Sequence, residues 1–194
     1  ELLDIKGINI VLGNVEKGDL VGHVLKYKKG EGPISKVTRR AEITQFDHRL
    51  DVMSFENRTR AILKIQDGCN YRCSFCIIPF ARGKSRSMSK ESVLQKIDKY
   101  KELGYEEVVL TGIHLSSYGK DIGETLLSLL ESIELESPIP NIRLSSIDPA
   151  DTGKELINFI AKSIEAMLPG NRFRRDDLVT GPAPEIGNAL AGFE

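Results

Sequence analysis

No apolar run in the 194-residue chain approaches the roughly 18 residues that a membrane-spanning helix requires. A charged-then-apolar leader with a small-residue cleavage site is also missing, so a cytoplasmic location is expected, with no membrane partner. Cysteine is scarce: three residues, an odd number that cannot close into a disulfide framework and that fits a reducing compartment. Histidine is equally scarce, and His23, His48 and His114 have no second partner at ligand spacing. No repeat or low-complexity block is found beyond an alternation of strand and helix patterns. What remains, 40% hydrophobic and 28% charged residues, is the balance of a globular chain with room for one domain or pieces of two.

The net charge of −1 carries no message, but its distribution does. Residues 26–86 hold 14 Lys/Arg against 6 Asp/Glu, whereas residues 1–25 sum to −2 and residues 87–194 to −7. A basic stretch suits a polyanionic partner such as RNA. An ordinary solvated linker would give the same count.

Residues 1–29 read as the end of an α/β unit: a strand over 8–12, a turn at Gly13-Asn14, and a weak helix over 16–29 with Leu20, Val24 and Tyr27 on one face. Residues 30–59 are polar, with Gly30, Gly32 and Pro33, and read as a linker with one short strand around 41–43. From residue 60 to about 163 strands and helices alternate. A strand over 60–66 leads into a loop over 67–87. A helix over 90–103 follows, capped by Ser89 and ended by Gly104, with Val93, Leu94, Ile97 and Tyr100 inward. A strand over 107–110 ends in Thr111-Gly112-Ile113 and gives way to a helix over 123–133 with Leu126, Leu127, Leu130 and Ile133 on one face. Next come a strand over 142–147, a turn at Asp148-Pro149 and a helix over 151–162. Three such units have connections too long for hairpins, so an α/β fold with parallel strands is expected. Ligands then gather at the carboxyl ends of the strands, where the loop, Thr111-Gly112 and Ser145-Ser146 fall. Residues 164–194, rich in Pro and Gly, read as an atypical, loosely ordered tail.

All the cysteines lie in that loop, as Cys69-x3-Cys73-x2-Cys76. Thiolates bind zinc, copper(I) or iron–sulfur clusters. Structural zinc wants four protein ligands. A cubane held by three cysteines keeps one iron open to a substrate or cofactor. Iron–sulfur ranks first on this spacing, ahead of zinc and of unliganded core cysteines.

The motif and its surroundings resemble the radical S-adenosylmethionine enzymes, and within them the methylthiotransferases. The resemblance is carried by Gly68-Cys69-Asn70, Phe75-Cys76-Ile77-Ile78-Pro79, Ala81-Arg82-Gly83 and Ser85-Arg86. The residues from Thr111 to Gly119 and from Arg143 to Pro149 are similar to the branch that places a methylthio group on C2 of N6-threonylcarbamoyladenosine, next to the anticodon of tRNA. The resemblance implies a partial β/α barrel of about three parallel β–α units, preceded by the end of a small α/β domain. It implies a 4Fe–4S cluster on Cys69, Cys73 and Cys76, S-adenosylmethionine on the open iron, one-electron cleavage to a 5′-deoxyadenosyl radical, and sulfur insertion at an unactivated carbon. Phe75 would lie against the cofactor adenine, or simply cover the cluster. Thr111, Gly112 and Ser145 would bind the cofactor, with a tight turn as the competing reason for Gly112. Arg82, Lys84 and Arg86 would grip tRNA phosphates, or be solvated, or offset cluster charge. His114 reads as structural and Asp148 as a turn residue. The implied partners are tRNA and an electron donor such as flavodoxin or ferredoxin.

The family also has an amino-terminal domain with three more cysteines for a second cluster. Those cysteines are not in this sequence, and past Lys162 it departs from the pattern, so a fragment is expected. The alternatives are a methylthiotransferase acting on isopentenyladenosine tRNA or a ribosomal protein, and a non-catalytic metal-binding module.

Overall fold

The computed structural model describes residues 2–28, 30–50, 59–145 and 147–165. Near the amino terminus, β1 (Ile10–Leu12) is followed by a 3-10 turn (Glu16–Asp19) and α1 (Leu20–Lys26). The helix is shorter than expected, and Leu20, Val21, Val24 and Leu25 are all exposed, so the anticipated apolar face is not buried among the described residues. Segment 30–59 is more than a linker, because β2 (Ile34–Lys36) pairs parallel with β1. The backbone drives this pairing. Ile34 N–H donates to the Asn9 carbonyl at 2.9 Å and Gly13 N–H to that of Lys36 at 2.8 Å, which satisfies polar groups a lone strand would leave open. The strand expected around 41–43 is instead a 3-10 turn, Arg40–Glu42.

From residue 60 the order is β3 (Arg60–Lys64), β4 (Gln66–Asp67), α2 (Ile78–Ala81), β5 (Arg86–Ser87), α3 (Lys90–Glu102), β6 (Glu107–Thr111), α4 (Leu126–Glu136), β7 (Asn141–Leu144) and α5 (Lys154–Glu165). The main sheet has the order β3-β6-β7, and both pairings are parallel, as the β–α alternation requires. Ala61 lies opposite Val108, Leu63 opposite Leu110, and Leu110 opposite Leu144. These residues point to one face and are buried. Val93, Ile97 and Tyr100 of α3, Leu126, Leu129, Leu130 and Ile133 of α4, and Leu156 and Ile160 of α5 join them in the core. Each such side chain contributes about 2 kcal/mol by leaving water.

Helix boundaries follow the caps. Ser89 caps α3 as expected, its hydroxyl accepting from Ser92 N–H at 3.3 Å. The fourth helix begins at Leu126, not residue 123, because Thr125 and Ser128 form a reciprocal capping box at 3.0 and 3.1 Å. The last helix begins at Lys154 because Pro149–Asp151 forms a 3-10 turn capped by Asp148, and it runs past the expected end to Glu165. The remainder of the expected tail, and Ser146, lie outside the described residues.

Candidate metal centre

The cysteine loop is closed at its base by a device that the strand pattern did not reveal. Gln66–Asp67 pairs antiparallel with Arg86–Ser87, pinching residues 68–85 into a closed excursion. Gly68 lies at φ +75°, and a Cβ there would sit 2.1 Å from the Lys84 carbonyl oxygen, so only glycine fits the crossing. Cys69 N–H donates to the Gly83 carbonyl at 3.1 Å, and Ser85 N–H to Asn70 Oδ1 at 3.0 Å. Beneath this crossing Gln66 is fully buried. Its Nε2 donates to the Gly68 carbonyl at 2.7 Å and to Ser85 Oγ at 2.9 Å, while Oε1 accepts from His114 N–H at 2.9 Å. One amide thus joins both limbs of the loop to the exit of β6. The neighbouring Asp67 carboxylate is buried against Arg82 at 3.1 Å, Arg86 at 3.5 Å and Lys64 at 3.6 Å. Burial pushes its carboxyl upward, but Lys64, Arg82 and the Gly68 N–H outweigh that and hold it below the usual carboxylate range.

The three thiols are free: Cys69 and Cys76 are half-buried and Cys73 is exposed. A hydrogen bond from Cys76 N–H to the Cys73 carbonyl at 3.0 Å turns the chain between the last two, just before α2. Phe75, Ile77 and Phe80 are exposed around the third cysteine, Phe75 at 87%. Three soft, accessible thiols on one loop fit an iron–sulfur group. A cavity of about 760 Å³ opens beside Cys69, bounded by Asn70, Arg72, Phe80, Lys84 and Arg40. The Arg40 guanidinium stands 5.4 Å from the centre of the Phe80 ring.

Thr111, Gly112 and Ser145 sit at the carboxyl ends of their strands beside the loop's base. The Thr111 carbonyl accepts from Ile65 N–H at 2.9 Å. A Cβ on Gly112 would lie 2.8 Å from Gln66 Oε1, so the close approach of Gln66, and not a left-handed turn, accounts for this glycine. Ser145 spends both its N–H and its hydroxyl on the Leu110 carbonyl, at 3.1 and 3.3 Å.

The three cations expected to face RNA separate in the structure. Arg86 is buried, ion-paired with Asp67, and donates to the Arg82 and Lys84 carbonyls at 2.9 and 2.7 Å, so it serves the loop's interior. Arg82 is half-buried on Asp67, and Lys84 alone is exposed.

A second cluster is formed from residues far apart in the chain. His114 was expected to be structural and without a ligand-like partner, yet its Nε2 lies 3.2 Å from Asp151 Oδ2 and 3.6 Å from Asp148 Oδ2. Its Nδ1 is 2.6 Å from Ser117 Oγ. The Tyr71 hydroxyl donates to the Asp151 carboxylate, at 2.7 and 2.6 Å from its two oxygens, and Lys120 Nζ stands 3.7 Å from the same group. Asp148 does cap its turn as expected, accepting from Ala150 N–H at 2.9 Å.

The radical SAM superfamily pattern matches residues 63–169, more than half of the chain, and takes in the loop, the rim and most of the parallel sheet. The chain belongs to the radical SAM superfamily. Membership implies a 4Fe–4S cluster and S-adenosylmethionine, in accord with the free thiols. This radical SAM chain is 37% identical over 165 residues to the threonylcarbamoyladenosine tRNA methylthiotransferase MtaB of Bacillus subtilis, a match covering 84% of the chain and 36% of that protein. The Aquifex aeolicus protein of the same name is 39% identical over 173 residues, covering 87% of the chain and 41% of that protein. A Fusobacterium nucleatum tRNA-2-methylthio-N(6)-dimethylallyladenosine synthase is 32% identical over 158 residues, 80% of the chain and 36% of that protein. The radical SAM chain therefore spans about two fifths of the length of the curated relatives it matches. Among the described residues no helix is long and apolar enough to cross a membrane.

Proposed function

We propose that this chain carries the radical SAM portion of a tRNA-modifying methylthiotransferase that places a methylthio group on C2 of N6-threonylcarbamoyladenosine next to the anticodon. Residues 60–163 form the catalytic unit and residues 1–29 the end of an adjoining domain. The observation that carries this reading is the 37–39% identity, over more than four fifths of the chain, to proteins named for that reaction.

Cys69, Cys73 and Cys76 hold the 4Fe–4S cluster. When bound, the cluster and S-adenosylmethionine supply one-electron cleavage of the sulfonium bond and hence hydrogen abstraction. The chain's own residues bind, orient and shield. Gln66 and the β4–β5 crossing fix the base of the cysteine loop. Thr111, Gly112 and Ser145 line the rim where the cofactor's polar end is received. Phe75 offers an apolar face to an adenine ring and excludes water there. Lys84 is the motif cation placed to meet RNA, while Arg82 and Arg86 act through Asp67. An electron donor of the flavodoxin or ferredoxin class completes the reaction.

Anaerobic reconstitution with iron and sulfide, followed by measurement of 5′-deoxyadenosine, tests the chemistry. The reconstituted chain should release it, and Cys73→Ala should abolish both the cluster and the product. Tight zinc uptake without iron would overturn the enzyme reading. Product formation stimulated by tRNA bearing isopentenyladenosine, and not by tRNA bearing threonylcarbamoyladenosine, would reassign the substrate.

A further inference from the structure

We propose that Tyr71, Asp151 and His114 form a brace that fixes the cysteine loop over the strand exits of β6 and β7, making them positioning residues for the metal centre. Tyr71 lies between Cys69 and Cys73, and its hydroxyl reaches a carboxylate 80 residues away, on the turn that follows β7. His114 stands between them, its ring centre 5.1 Å from that of Tyr71 and its Nε2 3.2 Å from Asp151. The histidine is itself held at both ends, by Gln66 Oε1 on its backbone N–H and by Ser117 Oγ at Nδ1. The buried Nε2 faces the two carboxylates without a hydrogen bond to either among the described residues, so the histidine contributes by contact and the Tyr71–Asp151 hydrogen bond carries the tie.

The loop needs such a support. Its base is tied by the two-residue β4–β5 pairing, and ordering the excursion costs about 1 kcal/mol or more for each residue fixed. The Tyr71 contact is the tie that reaches from the first half of the loop across the rim to the third strand. It links the heights of Cys69 and Cys73 to the same turn that Asp148 caps. A cation seat is a poorer reading of the cluster, since the Tyr71 hydroxyl already holds the Asp151 carboxylate and Lys120 adds positive charge beside it. What the loop holds rests on the cluster assignment above; the brace itself rests on these contacts.

The test is the rate at which the reconstituted chain loses iron to a chelator, with the thermal unfolding midpoint as control. Tyr71→Phe and Asp151→Ala should each release iron about tenfold faster, the effect of losing one charge-assisted hydrogen bond. The double variant should be no faster than either, and Asp151→Asn, whose amide oxygen still accepts, should stay near wild type. Midpoints should fall by no more than about 3 to 6 °C, the shift that a tenfold change converts to in a chain of this size. Wild-type release from both single variants, or a double variant about a hundredfold faster, overturns the brace. Should the chain take up no iron, the cluster assignment fails, and the brace is judged by iodoacetamide labelling of Cys69 and Cys76 in the metal-free chain. Faster labelling in Tyr71→Phe upholds it, and equal labelling overturns it.

Discussion

At the scale of single residues, the site is built on two buried polar groups that occupy consecutive positions. Gln66 serves four partners with one amide, and Asp67 serves three cations with one carboxylate. Replacing Asp67 by Asn would leave the Arg86 guanidinium buried without its counter-charge, at a cost of roughly 3 kcal/mol at pH 7. Because the folded state holds this carboxyl below its ordinary value, the unfolded chain takes up the proton first as pH falls. The contribution is therefore complete above the unfolded value near 4 and is lost as pH drops through the lower folded value. Urea unfolding across pH 6 to 2 should show the gap between wild type and Asp67→Asn closing toward the acid end. A gap of constant size would mean that the carboxylate does not carry the interaction.

At the scale of elements, caps decide where helices begin more sharply than hydrophobic periodicity does. The apolar stripe Leu126, Leu130 and Ile133 announced α4, but its start shifted by three residues because Thr125 and Ser128 satisfy each other's backbone groups. Thr125→Ala should cost about 1 kcal/mol in chemical unfolding and leave the iron content of the reconstituted chain unchanged. A loss above roughly 2 kcal/mol would show that Thr125 supports more than the helix end. The same contrast explains what could be read from the sequence. The parallel units were legible because helices of 11 to 13 residues repeat an apolar face between short apolar strands, and the cysteines because their spacing is chemical. The β4–β5 pair was not, since two-residue strands have no period. Nor was β2, whose Ile34-Ser35-Lys36 carries one apolar residue and pairs along its backbone with β1. The Tyr71–Asp151 contact joins positions 80 residues apart, and no local pattern links an exposed tyrosine to a turn aspartate. A polar Gln66 directly after the buried Ala61, Leu63 and Ile65 was the one signal that the loop's base was anchored from beneath.

At the scale of the whole molecule, the surplus of positive charge over residues 26–86 is smaller in effect than its count suggests. Arg82 and Arg86 are consumed by Asp67, Arg49 by Asp47 at 2.9 Å, and Arg60 leans on Glu107 at 3.8 Å. Arg40, Arg72 and Lys84 remain around the cavity beside Cys69, without an ion pair among the described residues. If these are the cations that meet single-stranded RNA, three phosphate contacts should give a slope of about −2 for log affinity against log salt. Titration of an anticodon stem–loop RNA into the chain at several salt concentrations measures it. Lys84→Gln should reduce the slope by about 0.7, and the combination with Arg40→Gln and Arg72→Gln should bring it near zero. Arg82→Gln should lower stability while leaving the slope in place, because that charge is already neutralised inside the fold. A slope steeper than about −5 in wild type would mean that the internal ion pairs open to the ligand, and that the basic stretch acts as the continuous surface its composition first suggested.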